Sequence, residues 1–106
     1  MIIPERFNLY GLEITIEPSD TIMLTKQAIG YCEPQLSRIV LQQHTMDYPI
    51  LRQNLEHTYL HELVHMILIE LGEKELGDNE KFVDSFAGLL HQVHTTSVGE
   101  LKIDAI

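Results

Sequence analysis

A chain of 106 residues, 44% hydrophobic and without a low-complexity tract, predicts one globular domain at the small end of what buries its own core. A formal charge of −9 repels phosphate backbones, which argues against nucleic acid as a ligand. No apolar run reaches bilayer length, the first residues show no basic stretch leading into an apolar one, and Cys32 is the single cysteine; a cytoplasmic protein with no membrane contact and no internal disulfide is expected.

Phe7, Leu9 and the Tyr10-Gly11 step suggest a short strand or hairpin arm. Leu12 to Glu17 alternates apolar and polar residues without a break, which reads as a half-buried strand. Pro18-Ser19-Asp20 marks a turn, and 21–25 reads as another short extended piece. Gly30 and Pro34 bracket a predicted loop holding Tyr31 and Cys32. The next strand is predicted over 37–43, with Ile39, Val40 and Leu41 at its centre.

From about Pro49 to Leu71 the pattern turns helical. Leu51, Leu55, Leu63, Ile67 and Leu71 recur at spacings of four or eight, Leu60, Val64 and Leu68 widen the stripe, and Gly72 is a stop. A second helix is predicted from an N-cap at Asp78 to about His94, burying Phe82, Val83, Phe86, Leu89, Leu90 and Val93. The expected organisation is α+β in one domain. A strand-rich part covers 1–45, the two helices cover 49–71 and 78–94, and 95–106 form a tail.

His61-Glu62-Leu63-Val64-His65 lies in the first helix. Histidines four apart stand about 40° apart around a helix and one turn above each other, so both imidazoles reach one ion. This is the HExxH pattern, in which two histidines bind zinc and the glutamate activates the zinc-bound water. Catalytic zinc takes a third protein ligand and leaves a place for water. Position 71 is leucine, and Glu70 stands about 180° from His61 around the helix. Glu80 and Asp84, one turn apart on the second helix, are in reach once the segment from Gly72 to Gly77 turns the chain back.

One Zn2+ is therefore expected on His61, His65 and Glu80, with Asp84 holding one histidine by its other ring nitrogen. Glu62 would take a proton from the zinc-bound water as it attacks a carbonyl and deliver it to the leaving amine. Candidate donors to the developing oxyanion are Tyr59, His57 and Tyr31, with Tyr48 and His44 behind them. Cys32 is read as an ordinary half-buried thiol, the alternative being a thiolate that ligates zinc and holds the protein latent. His91 and His94 lie too far along the second helix to ligate the same ion.

His61-Glu62-Leu63-Val64-His65 together with Asn79-Glu80-Lys81-Phe82-Val83-Asp84 resembles the gluzincin metallopeptidases. The longer run Glu80-Lys81-Phe82-Val83-Asp84-Ser85-Phe86-Ala87 is similar to a motif of the ImmA/IrrE-like group, whose short members occur in phages and mobile elements. Leu89-Leu90-His91-Gln92 departs from the Leu-Leu-Met-Pro that follows in that group. The resemblance implies a zincin-like fold in which a small, mostly antiparallel sheet packs on the active-site helix and the glutamate helix. It also implies zinc-dependent hydrolysis of a protein or peptide, such as a repressor, laid along an edge strand that would here be Ser37–Gln43. The alternative is a catalytically weak or inactive zinc-stabilised interaction module.

Overall fold

A computed structural model of the chain describes residues 1–44 and 49–106. It is a mixed α+β arrangement. β1 (Arg6–Leu9) and β2 (Leu12–Ser19) form a hairpin, followed by a helical turn α1 (Ile22–Thr25) and β3 (Gly30–Glu33). A 3-10 turn at Pro34–Leu36 leads into β4 (Arg38–Gln42), and then come α2 (Arg52–Glu70), the short α3 (Lys74–Gly77) and α4 (Glu80–Thr96).

The hairpin closes with Leu9 opposite Leu12, and both intervening residues, Tyr10 and Gly11, have positive φ (50° and 78°). That pair of angles matches the right-handed twist of the strands it joins. The sheet order is β1-β2-β4-β3, with β2 parallel to β4 and the other two pairings antiparallel. One face packs on α2. Phe7, Ile14, Ile16, Ile39, Leu41 and Cys32 belong to the same apolar cluster as Tyr59, Leu60, Val64, Met66 and Leu68 of α2. On the opposite face, Arg38 ties β4 to both neighbours, its Nε donating to Glu33 Oε1 (2.7 Å) and Nη1 to Glu17 Oε2 (3.0 Å).

β4 is thus an interior strand, and the expected edge strand Ser37–Gln43 is corrected. Ser37 ends the 3-10 turn in the left-handed region (φ 52°), and Ile39, Val40, Leu41 and Gln42 are all buried. β3 occupies the edge instead, where a loop is expected from Gly30 to Pro34. The extended piece expected over 21–25 is a helical turn. Gln42 Oε1 accepts the Met23 N–H (3.0 Å), and the Thr25 amide and hydroxyl both donate to Thr21 O.

α2 is buried on several sides because the sheet covers one side and α4 another. Glu56, Tyr59, Leu60, Glu62, Val64, Met66 and Leu68 are buried, while Leu51 and Leu71 at its ends are exposed. It stops at Gly72 (φ 74°), with Gly72 N–H donating to Ile69 O and Glu73 N–H to Leu68 O, the paired bonds of a Schellman end. The N-cap of α4 is Asn79, whose side chain accepts the Phe82 N–H; Asp78 pairs instead with Lys74 Nζ. α4 turns Val83 and Ala87, both fully buried, toward the core, with Phe82 and Leu90 half-buried beside them. Phe86, Leu89 and Val93, expected inside, are exposed. Residues 97–106 carry no regular structure and stay exposed. Among the described residues no helix is long and apolar enough to cross a membrane.

Candidate metal centre

α2 presents His61 and His65 on successive turns, their rings 4.9 Å apart and edge-on. Glu80 enters from the first turn of α4, where a carboxylate also suits the helix dipole. Its two oxygens divide between the histidines, with Oε2 3.1 Å from His61 Nε2 and Oε1 3.0 Å from His65 Nε2. Asp84, one turn on, sets Oδ1 3.2 Å from His61 Nδ1.

These contacts constrain the imidazole of His61. A neutral ring that donates Nδ1–H to Asp84 turns the Nε2 lone pair toward Glu80, so two acceptors face each other. A proton or a cation relieves that opposition. The ligand atoms of His61, His65 and Glu80 lie within 4.8 Å of one another. Two imidazole nitrogens and a carboxylate oxygen are donors of the kind zinc takes, and bonds of about 2.0–2.2 Å would set them about 3.4 Å apart around a tetrahedral ion.

Glu62 lies behind the histidines and is 8% exposed. Burial raises its carboxyl above the ordinary range, against the opposing pull of His61 and His65. Burial, and after it the neighbouring Glu62 carboxylate, pushes the Cys32 thiol on β3 up to about 12. Cys32 is a half-buried free thiol, as the sequence reading expects by default, and stands outside the group formed by His61, His65 and Glu80.

Two concavities flank the centre. One, of about 680 Å³, is lined by His57, His61, Glu62 and Asp84 on its helical side and by Met23, Ile29 and Ile50 opposite. The other, of about 530 Å³, is lined by His65, Ile69, Lys74 and Glu80. The β3 edge borders the first at Gly30, where an added Cβ would meet Thr58 Cγ2 at 2.5 Å. Glycine there lets the strand come against α2.

The candidate oxyanion donors separate clearly. Tyr59 is buried in the core at 5% exposure, and burial raises its phenol, so it is not a cleft group. Tyr31 alternates with Cys32 and projects from the other face of β3, under the Lys26 ammonium (5.4 Å to the ring centroid). His44 pairs with Asp20 (2.8 Å). Tyr48 lies outside the described residues. His57 lines the larger concavity, its Nε2 3.3 Å from Asp84 Oδ1.

A second carboxylate–histidine pair lies behind the centre. His91 Nε2 of α4 is 2.8 Å from Glu56 Oε1, the His91 ring stacks on His57 at 6.3 Å, and Arg52 Nε donates to Glu56 Oε2 (3.1 Å). No local motif marks Glu56 in the sequence. One signal points to it: antiparallel helices that bring residue 84 to residue 61 also bring residue 91 to the start of α2. Comparison of the chain with protein-family models, curated proteins and solved structures gave no match.

Proposed function

We propose that the chain is a zinc-dependent metallopeptidase with a zincin-like arrangement of its two long helices. The observation that carries this reading is the convergence of His61 Nε2, His65 Nε2 and both Glu80 oxygens beside a buried Glu62. His61, His65 and Glu80 would hold the ion, and Asp84 keeps the proton of His61 on Nδ1. Zinc, when bound, polarises a substrate carbonyl and makes water acidic near neutral pH.

Glu62 then moves the proton. Its raised affinity for a proton suits a group that takes one from the attacking water and returns it to the leaving nitrogen. A peptide would add to the outer edge of β3, not to β4, beside the larger concavity that Gly30 lines. His57, which lines the larger concavity, would donate to the developing oxyanion. The charge of −9 and the single cysteine fit a protein substrate in a reducing, cytoplasmic setting.

A second reading, an inactive zinc-stabilised interaction module, is favoured by the burial of Glu62, only 8% exposed, which restricts access to the carboxylate that must accept the proton. Metal analysis of protein purified without added zinc, paired with Glu62→Gln, decides between them. The expected result is about one equivalent of zinc in both proteins, with peptide cleavage confined to the native chain. Zinc below about half an equivalent, unimproved by adding it, would remove the metal centre. Full zinc occupancy with no cleavage of a broad peptide library would leave the interaction module.

A further inference from the structure

α4 runs antiparallel to α2, with Asp84 at His61 and His91 at Glu56. It therefore delivers the segment after Thr96 to the end of the cleft where Ile50 and Leu51 line the larger concavity. There Gly99 has a positive φ (75°), a conformation that favours glycine and lets the chain reverse. The next residues, Glu100-Leu101-Lys102-Ile103-Asp104, alternate charged and apolar side chains without a break, the pattern of a strand with one buried face. Yet Leu101 and Ile103 are 80% and 70% exposed. The cleft holds a matching edge. Gln42 N–H donates to Ile29 O, so Ile29 with Gln42, Tyr31 with Val40 and Glu33 with Arg38 are the bonded pairs of β3 and β4. Gly30 and Cys32 therefore turn their backbone N–H and C=O toward the outer edge, and among the described residues no strand pairs there.

We propose that residues 100–105 add to this edge of β3 as a parallel strand, seating Leu101 and Ile103 against the concavity, so that the chain's own tail closes the cleft to substrate. Reach, direction and charge select this segment. Gly88 stands at His57 and Gly30 at Thr58, and from Gly88 to Thr96 is about 12 Å along α4. From Thr96 to Ile103 an extended chain spans about 23 Å, enough for the return and for the crossing to β3. β3 passes from Gly30 at Thr58 to Cys32 beside Glu62, in the same sense as α2, so a chain returning from the end of α4 lies parallel to it. With Ile103 beside Gly30, Asp104 comes to the outer face next to Tyr31, where the Lys26 ammonium stands over the ring. The apolar wall of Met23, Ile29, Ile50 and Leu51 receives Leu101 and Ile103. A short tether holds the segment at an effective concentration in the millimolar range, which an external peptide must exceed to displace it. Control of cleavage by this closure rests on the metallopeptidase reading; the contact itself does not.

Amide hydrogen exchange of the full chain, metal-free and with zinc added, reads the contact without any need for turnover. The Gly30 and Cys32 amides are expected to exchange about tenfold more slowly in the native chain than in the double variant Leu101→Ser, Ile103→Ser. The Tyr31 and Glu33 amides, bonded to β4, should exchange alike in both. A synthetic peptide of residues 97–106 at about 5 mM should return the protection to the double variant. Tenfold protection leaves about a tenth of the chains open, so the zinc-loaded variant should cleave a dilute peptide about tenfold faster than the native chain. Equal exchange at Gly30 and Cys32 in the two proteins overturns the inference, as does a cleavage rate that stays the same when the protection is lost. Absence of cleavage in both proteins counts against the metallopeptidase reading instead, and the exchange comparison still decides the contact.

Discussion

Asp84 Oδ1 lies 3.2 Å from His61 Nδ1, so a carboxylate on α4 orients a ring on α2 without belonging to the three-ligand group. Such a partner fixes the tautomer of a metal-binding histidine and raises its basicity. Asp84→Ala is expected to weaken zinc affinity by about 10–100-fold while leaving the fold in place. Asp84→Asn, which keeps an acceptor oxygen, should recover part of the loss. His57 meets the same Asp84 oxygen at 3.3 Å from the outer side, so His57→Ala should change zinc affinity much less. Competition with a chromophoric chelator measures all three, and an Asp84→Ala affinity equal to the native value would remove its orienting role.

How much of this was legible in sequence depended on whether the signal was local. The i, i+4 histidines and the Glu80/Asp84 pair are features of single helices, and both survive as spatial neighbours. Strand order is tertiary information, yet Ile39-Val40-Leu41 held a clue. A continuous apolar run marks a strand covered on both faces, whereas an edge strand tends to alternate. β3 was hidden because its four residues, Gly-Tyr-Cys-Glu, resemble a turn; only pairing with β4 makes them a strand. The periodicity of α4 finds an apolar face without saying what covers it, so it does not separate buried Val83 from exposed Phe86, Leu89 and Val93. Glu56 and His91 are 35 residues apart, and no local pattern joins them.

Glu62 makes a prediction about stability as well as activity. Its folded carboxyl is raised by burial, so the folded chain disfavours the charged form that the unfolded chain adopts freely above about pH 4.3. The penalty is absent at low pH and grows as pH rises through the ordinary carboxylate range. In metal-free protein held in chelator, Glu62→Gln should melt at a higher temperature than the native chain at pH 7. The two should converge toward pH 4. Scanning calorimetry at both values checks the sign, and a native chain that melts higher at pH 7 would contradict it.

Gly30 sets how closely the β3 edge approaches α2. An alanine Cβ there would lie 2.5 Å from Thr58 Cγ2 and 3.3 Å from Leu41 Cδ2, so strand and helix must separate. Gly30→Ala is expected to cost about 1–3 kcal/mol, as overpacking of a close contact does. Thr58→Ala deletes the methyl responsible, and the double variant should recover most of the difference. Urea unfolding of the four proteins closes the cycle. Additive losses would mean the Thr58 contact is not what excludes a side chain at residue 30.

Glu56 gives a prediction of opposite sign to Glu62. The His91 imidazole and then the Arg52 guanidinium hold its carboxyl below the ordinary range. A carboxyl lowered in the folded state adds stability above the unfolded value near pH 4.3, and that contribution disappears as pH falls through the folded value. Glu56→Gln should therefore melt below the native chain at pH 6, with the gap narrowing steadily toward pH 3. His91→Gln, which removes the first partner, should reproduce much of the loss at pH 6 and little more when combined with Glu56→Gln, because the two share one interaction. Melting temperatures across that range test the pair, and a gap independent of pH would show that Glu56 acts by packing alone.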